Sequence, residues 1–154
     1  MKWFIQDRIL HGVYEKGETV PNEVEDLAIH YEGVIQKRTG WNMPMSVIQR
    51  HATKDSPLRS YLTKADYVIV YCKNDIQTKK HELLHAKYAM DPTYRTHVAQ
   101  IWATLTNHEQ ERIRYVLQQL KYPDDPVIQL DEFQAYYYTE KPSFFGVSVH
   151  PLRK

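Results

Sequence analysis

His81, Glu82 and His85 are the residues whose types and spacing most directly specify chemistry in this chain of 154 residues. Histidines four apart on a helix share one face, with Cβ atoms about 5–6 Å apart, so both imidazoles can reach one ion. Zinc–histidine bonds of about 2.0–2.1 Å suit that geometry. Glu82 leaves the same turn and can take a proton from water on such an ion, which is the physical content of the H-E-x-x-H pattern. With eight histidines in the chain, chance supplies about 0.03 such matches per shuffled sequence. Composition is therefore a poor explanation, and the surroundings decide.

The elements that must position these residues are legible as periodicities. Residues 67–72, Tyr-Val-Ile-Val-Tyr-Cys, are β-branched and aromatic throughout and read as the best strand. A short loop at 73–75 leads into a helix over about 76–90, which carries His81, Glu82 and His85. Asp91-Pro92 ends it and starts the next helix, with aspartate as N-cap and proline at the first helical position. That helix runs to about residue 105. Asn107 is expected to cap a third, with Ile113, Val116, Leu117 and Leu120 as its apolar stripe. Pro123 to Pro126 is a break, and a last helix covers about 128–139. Upstream, residues 3–10 read as a strand, with loop signals around Gly12 and Gly17. Residues 23–37 read as a helix with Val24, Leu27, Tyr31, Val34 and Ile35 inward, Asn22 as cap and Gly40 beyond its end. Residues 45–51 read as a weaker strand and 53–59 as a loop. The tail after Pro142 is irregular, with a short strand at 145–149. The order predicts one α+β domain over 1–154 with a small antiparallel sheet, an N-terminal helix, the H-E-x-x-H helix and three further C-terminal helices.

A catalytic zinc site has three protein ligands and one position open to water. Glu132, Asp91, and one of His97 or His108 compete for the third place. Asp91 lies six residues after His85, the metzincin spacing, but Tyr88 stands where that arrangement needs a glycine turn. Asp91 also has a sufficient task as an N-cap. His97 and His108 fall within or at the start of later helices, and His11, His30, His51 and His150 have no metal-like spacing.

With Glu132 on a later helix, separated from the H-E-x-x-H helix by two others, the chain resembles zincin metallopeptidases of the glutamate-ligand type. It is similar above all to the smallest of these, the mini-gluzincins. The resemblance covers about residues 76–140; the part before it matches only as a pattern of elements. It implies that His81, His85 and Glu132 hold zinc, with small Ala135 letting the glutamate helix approach the active-site helix. It also implies that a strand upstream of the active-site helix, here 67–72, binds extended substrate along its edge; a buried interior strand is the competing reading. Thermolysin-like enzymes carry an aspartate four residues after the ligand glutamate, where this chain has Tyr136. Asp131 is then the carboxylate left to support a ligand histidine. The Tyr136 hydroxyl would lie on the metal side and stabilise an oxyanion; packing is the competing reading. Tyr88, Tyr94 and Trp102 read as core aromatics, and nothing places Arg95 near the zinc.

The reading is a zinc-dependent metallopeptidase acting on peptide or protein substrates, with Glu82 as general base. The alternatives are a catalytically silent zincin-like zinc-binding or protein-interaction module, and an accidental motif. Net charge is +1 and no long basic run occurs, so nucleic-acid binding is not indicated. No segment reads as a membrane span or a signal peptide. The single cysteine, Cys72, excludes an internal disulfide and reads as a small strand-end residue. Together these features predict a cytoplasmic protein.

Overall fold

The computed structural model describes residues 1–33, 38–141 and 143–146. It is α+β: a four-stranded sheet in the order β1-β2-β4-β3 with six helices. The strands are β1 (Lys2–Gln6), β2 (Ile9–Tyr14), β3 (Trp41–Pro44) and β4 (Tyr67–Cys72). β1 pairs antiparallel with β2, and β3 antiparallel with β4, but β2 and β4 run parallel. The sheet is therefore mixed, which corrects the antiparallel expectation.

β4 is the reason the sheet has two covered faces. Val68 and Val70 pack with Leu10, Leu27, Ala28 and Ile48 on one side. Tyr67, Ile69 and Tyr71 pack with Ala86 and Leu83 on the other. A strand buried on both faces loses polar alternation and reads as one apolar run. It is an interior strand between β2 and β3, as the competing reading has it, and has no free edge.

The helices are α1 (Asn22–Glu32), α2 (Met45–His51), α3 (Ile76–Met90), α4 (Pro92–Thr104), α5 (Asn107–Gln119) and α6 (Pro126–Thr139), with a 3₁₀ turn over Pro57–Tyr61. α3 has the predicted bounds and is capped by Asp75, whose side chain accepts from the Thr78 amide. Tyr88, Tyr94, Val98, Ile113, Leu117, Phe133 and Tyr137 form the helical core, with Trp102 packed against it. α5 opens with a capping box between Thr106 and Glu109, one residue before the expected Asn107 cap.

Several upstream expectations change. Residues 3–10 are not one strand: Asp7 and Arg8 both take positive φ, 54° and 61°, and turn the chain between β1 and β2. Gly12 lies inside β2 against the Trp3 ring rather than in a loop. Residues 45–51 form α2, because buried Met45, Ile48 and Ala52 follow the helical i, i+3, i+7 spacing. α1 has no side-chain cap from Asn22 and stops at Glu32, with Gly33 beyond it at φ 81°. Val34, Ile35 and the strand residues 147–149 lie outside the described residues, as does His150. Among the described residues no helix is long and apolar enough to cross a membrane.

Candidate metal centre

α3 and α6 pack side by side, and fully buried Ala135 lies on α6. This brings Glu132 opposite the two histidines. His85 Nε2 stands 3.2 Å from His81 Nε2 and 3.2 Å from Glu132 Oε1. His81 Nε2 is 3.8 Å from Glu132 Oε2. One ligand atom from each of the three residues lies within 4.8 Å of the others. Among the described residues no other set of three His, Cys, Asp or Glu side chains converges in this way.

The remaining ring nitrogens are turned away from the group and engaged. His85 Nδ1 donates to Asp131 Oδ1 at 2.8 Å. Gln134 Nε2 donates to the same oxygen at 3.1 Å, and Tyr94 donates its hydroxyl proton to Gln134 Oε1 at 2.7 Å. A buried chain thus runs Tyr94–Gln134–Asp131–His85. Asp131 supplies the carboxylate that Tyr136 cannot. On the other histidine, Nδ1 faces Thr139 Oγ1 at 3.5 Å, while that hydroxyl donates to the Ala135 carbonyl at 2.7 Å.

Without a cation the group is electrostatically unbalanced. Burial disfavours a charged His85, but the adjacent Asp131 and Glu132 carboxylates outweigh it and hold the pKa well above the ordinary value. Burial, then the charge on His85, drives His81 well below. Burial also lifts Glu132, against the pull of His85. Glu132 Oε2 and Glu82 Oε2 are buried without a hydrogen-bond partner. Unpartnered buried carboxylate oxygens are costly, and at Glu132 a cation among the converging ligand atoms would relieve that cost.

Glu82 is 5% exposed and lies in the same cleft as the two histidines. Burial pushes its carboxyl up to about 8, against a lowering contribution from His85. The cleft encloses about 550 Å³ and is lined by Asn42, Thr78, Tyr122, Tyr136 and Glu140 as well as the histidines and glutamates.

Tyr136 reaches this cleft, its ring 4.6 Å from that of His81. Its hydroxyl is 2.8 Å from the Tyr122 hydroxyl, and its ring stacks on Phe144. Burial raises the pKa of both tyrosines, so both keep their protons.

The rival third ligands are elsewhere. Asp91 caps α4, its Oδ1 accepting from the amides of Thr93 at 3.0 Å and Tyr94 at 3.2 Å. His97 is exposed beside Tyr138, and His108 is exposed on α5. Arg95 donates to the carbonyls of Tyr88 and Ala89 at the end of α3. Cys72 is a half-buried free thiol at the end of β4.

Sequence reading missed Gln134, Tyr122, Asn42 and the buried ion pair Arg38–Glu32, 2.6 Å long, on the cleft wall. Gln134 sits at i+3 from Asp131, a spacing that signals a shared helix face; the others carry no local signal.

No protein-family model matches the chain, no curated protein matches it, and no solved structure matches it.

Proposed function

We propose that the protein is a zinc-dependent metallopeptidase of the glutamate-ligand zincin type, with His81, His85 and Glu132 as ligands. The observation that carries this reading is the convergence of His81 Nε2, His85 Nε2 and Glu132 beside a buried Glu82 in an open cleft. Ligands placed tetrahedrally at zinc bond lengths stand about 3.3–3.6 Å apart, close to the 3.2 Å between the two Nε2 atoms and the 3.2 Å from His85 Nε2 to Glu132 Oε1, with the other carboxylate oxygen 3.8 Å from His81 Nε2. Among the described residues three protein ligands converge, which suits catalysis better than a closed, cysteine-rich structural site.

Bound there, zinc supplies a Lewis acid that polarises a peptide carbonyl and lowers the pKa of water from 15.7 toward about 7. Glu82 takes the proton of the attacking water and returns it to the leaving amine. Glu82, 5% exposed in the cleft that holds both histidines, is placed for that exchange. Tyr136, kept protonated by burial, donates to the oxyanion that develops on the substrate carbonyl. β3, an edge strand whose Asn42 lines the cleft, offers main-chain pairing to an extended peptide.

The test is metal analysis of the purified protein together with a peptide-library digest of wild type and Glu82→Gln. The expected result is about one zinc per chain in both and cleavage by wild type alone. Wild type that takes up no zinc when it is supplied would sink the reading. Zinc uptake without cleavage of any peptide would reduce it to a silent binding module.

A further inference from the structure

β3 and the glycine just before it lie against the helix that bears the base. Asn42 pairs with Ile69 across the β3–β4 ladder, and directly opposed residues point to the same face of a sheet. Asn42 therefore shares the α3-facing side with Tyr67 and Ile69. It is 3% exposed. Tyr67 donates its hydroxyl proton to Asn42 Oδ1 at 2.5 Å. With its carbonyl oxygen engaged there, the amide NH₂ is the end left to serve another neighbour, and Asn42 lines the same cleft as Glu82. Two residues earlier the backbone lies directly against Glu82. A Cβ on Gly40 would stand 2.7 Å from Glu82 Oε1 and 2.7 Å from Thr78 Cγ2. Real Cβ atoms do not approach that closely, so the carboxylate occupies space that only glycine leaves open.

We propose that this stretch of edge strand is the seat of the general base. Gly40 leaves the volume in which the Glu82 carboxylate lies, and Asn42, its amide fixed by Tyr67, holds that carboxylate in one orientation. Both are positioning residues that act through Glu82. The inference rests on the reading of Glu82 as base. Its consequence is that residues more than thirty positions upstream of H-E-x-x-H set the geometry of proton transfer. A misplacement of about 1 Å costs a catalytic group about 10²-fold in rate.

The experiment compares Asn42→Leu, Tyr67→Phe, the double variant and Gly40→Ala with wild type in kcat, KM, zinc per chain and melting temperature. Asn42→Leu is expected to lose about 10²-fold in kcat with KM and zinc content unchanged. Tyr67→Phe should lose less, and the double variant no more than Asn42→Leu alone, because Tyr67 works through the amide. Gly40→Ala should keep its zinc and lose kcat as the carboxylate is displaced. Wild-type kcat in Asn42→Leu, or losses that multiply in the double variant, overturns the proposal. If Asn42→Leu does not fold, Tyr67→Phe decides: reduced kcat at full zinc content supports the seat, and unchanged kcat removes it. Failure of the base itself looks different, because Glu82→Gln would then cleave as well as wild type.

Discussion

His85 Nδ1 donates to Asp131 Oδ1 across 2.8 Å, so the helix that carries Glu132 also orients the ring that Glu132 faces. Consecutive residues on α6 divide the work: Glu132 meets Nε2 of His85 and Asp131 meets Nδ1. The carboxylate holds Nδ1–H in place, so that on metal binding Nε2 would be the nitrogen free to coordinate. Asp131 is itself held by Gln134, and Gln134 also donates to the Leu84 carbonyl at 3.1 Å, on α3. The α3–α6 interface and the His81–His85–Glu132 group are thus one hydrogen-bonded structure.

Asp131→Ala should therefore weaken zinc binding by about 10- to 100-fold while leaving all three ligands in place. Competition with a chelator of known affinity reads this directly. Affinity equal to wild type would show that packing alone holds the His85 ring.

The third ligand separates two branches of zincins, and one pair of variants resolves it. Glu132→Ala should lose zinc at concentrations that saturate wild type. Asp91→Ala should keep it, yet lose about 1 kcal/mol of stability, because Asp91 Oδ1 caps two amides of α4. Full zinc in Glu132→Ala, or zinc lost in Asp91→Ala, would reverse the assignment.

The helical half of the chain was readable because its signals are local. α3 is bounded by Asp75 and by Asp91-Pro92, and a cap or a proline acts on its own few residues. His81 and His85 were readable for the same reason, one helical turn apart. The N-terminal half depends on distant partners. The Asp7-Arg8 turn lacks the glycine that marks tight hairpins; Arg8 is instead held by two hydrogen bonds to Asp66, far along the chain. α2 reads as a strand from sequence because Met45, Val47 and Ile48 form a short, partly β-branched apolar run, and only its packing partners show that Met45, Ile48 and Ala52 form the working stripe. The parallel β2–β4 pairing leaves no local mark. Asn42, Tyr122 and Gly40 escaped for the same reason: each acquires its role from a residue that folding brings to it.

The Tyr122–Tyr136 hydroxyl pair makes a graded prediction. Tyr136→Phe removes the proposed oxyanion donor and should lower kcat by about 10²-fold with little change in KM. Tyr122→Phe removes only the partner at 2.8 Å and should cost less, through looser aim of the Tyr136 hydroxyl. Zinc content should be unchanged in both. A larger loss for Tyr122→Phe than for Tyr136→Phe would exchange their roles.

Away from the site, His11 ties stability to pH. It is 2% exposed, its Nδ1 2.9 Å from the Tyr71 hydroxyl and its ring stacked on Phe4. Burial, followed by the charge of Lys79, lowers its pKa below the ordinary 6.5, with Asp7 opposing. The folded state thus binds this proton less readily than the unfolded chain, whose histidine titrates near 6.5. The contribution to stability is complete above about pH 6.5 and falls away as pH drops through that value toward the lower folded pKa. His11→Gln keeps a polar group near Tyr71 but has nothing to titrate. Urea unfolding at pH 7 and pH 5 should therefore show a smaller drop in stability for His11→Gln than for wild type. Equal drops would place the acid sensitivity in other groups.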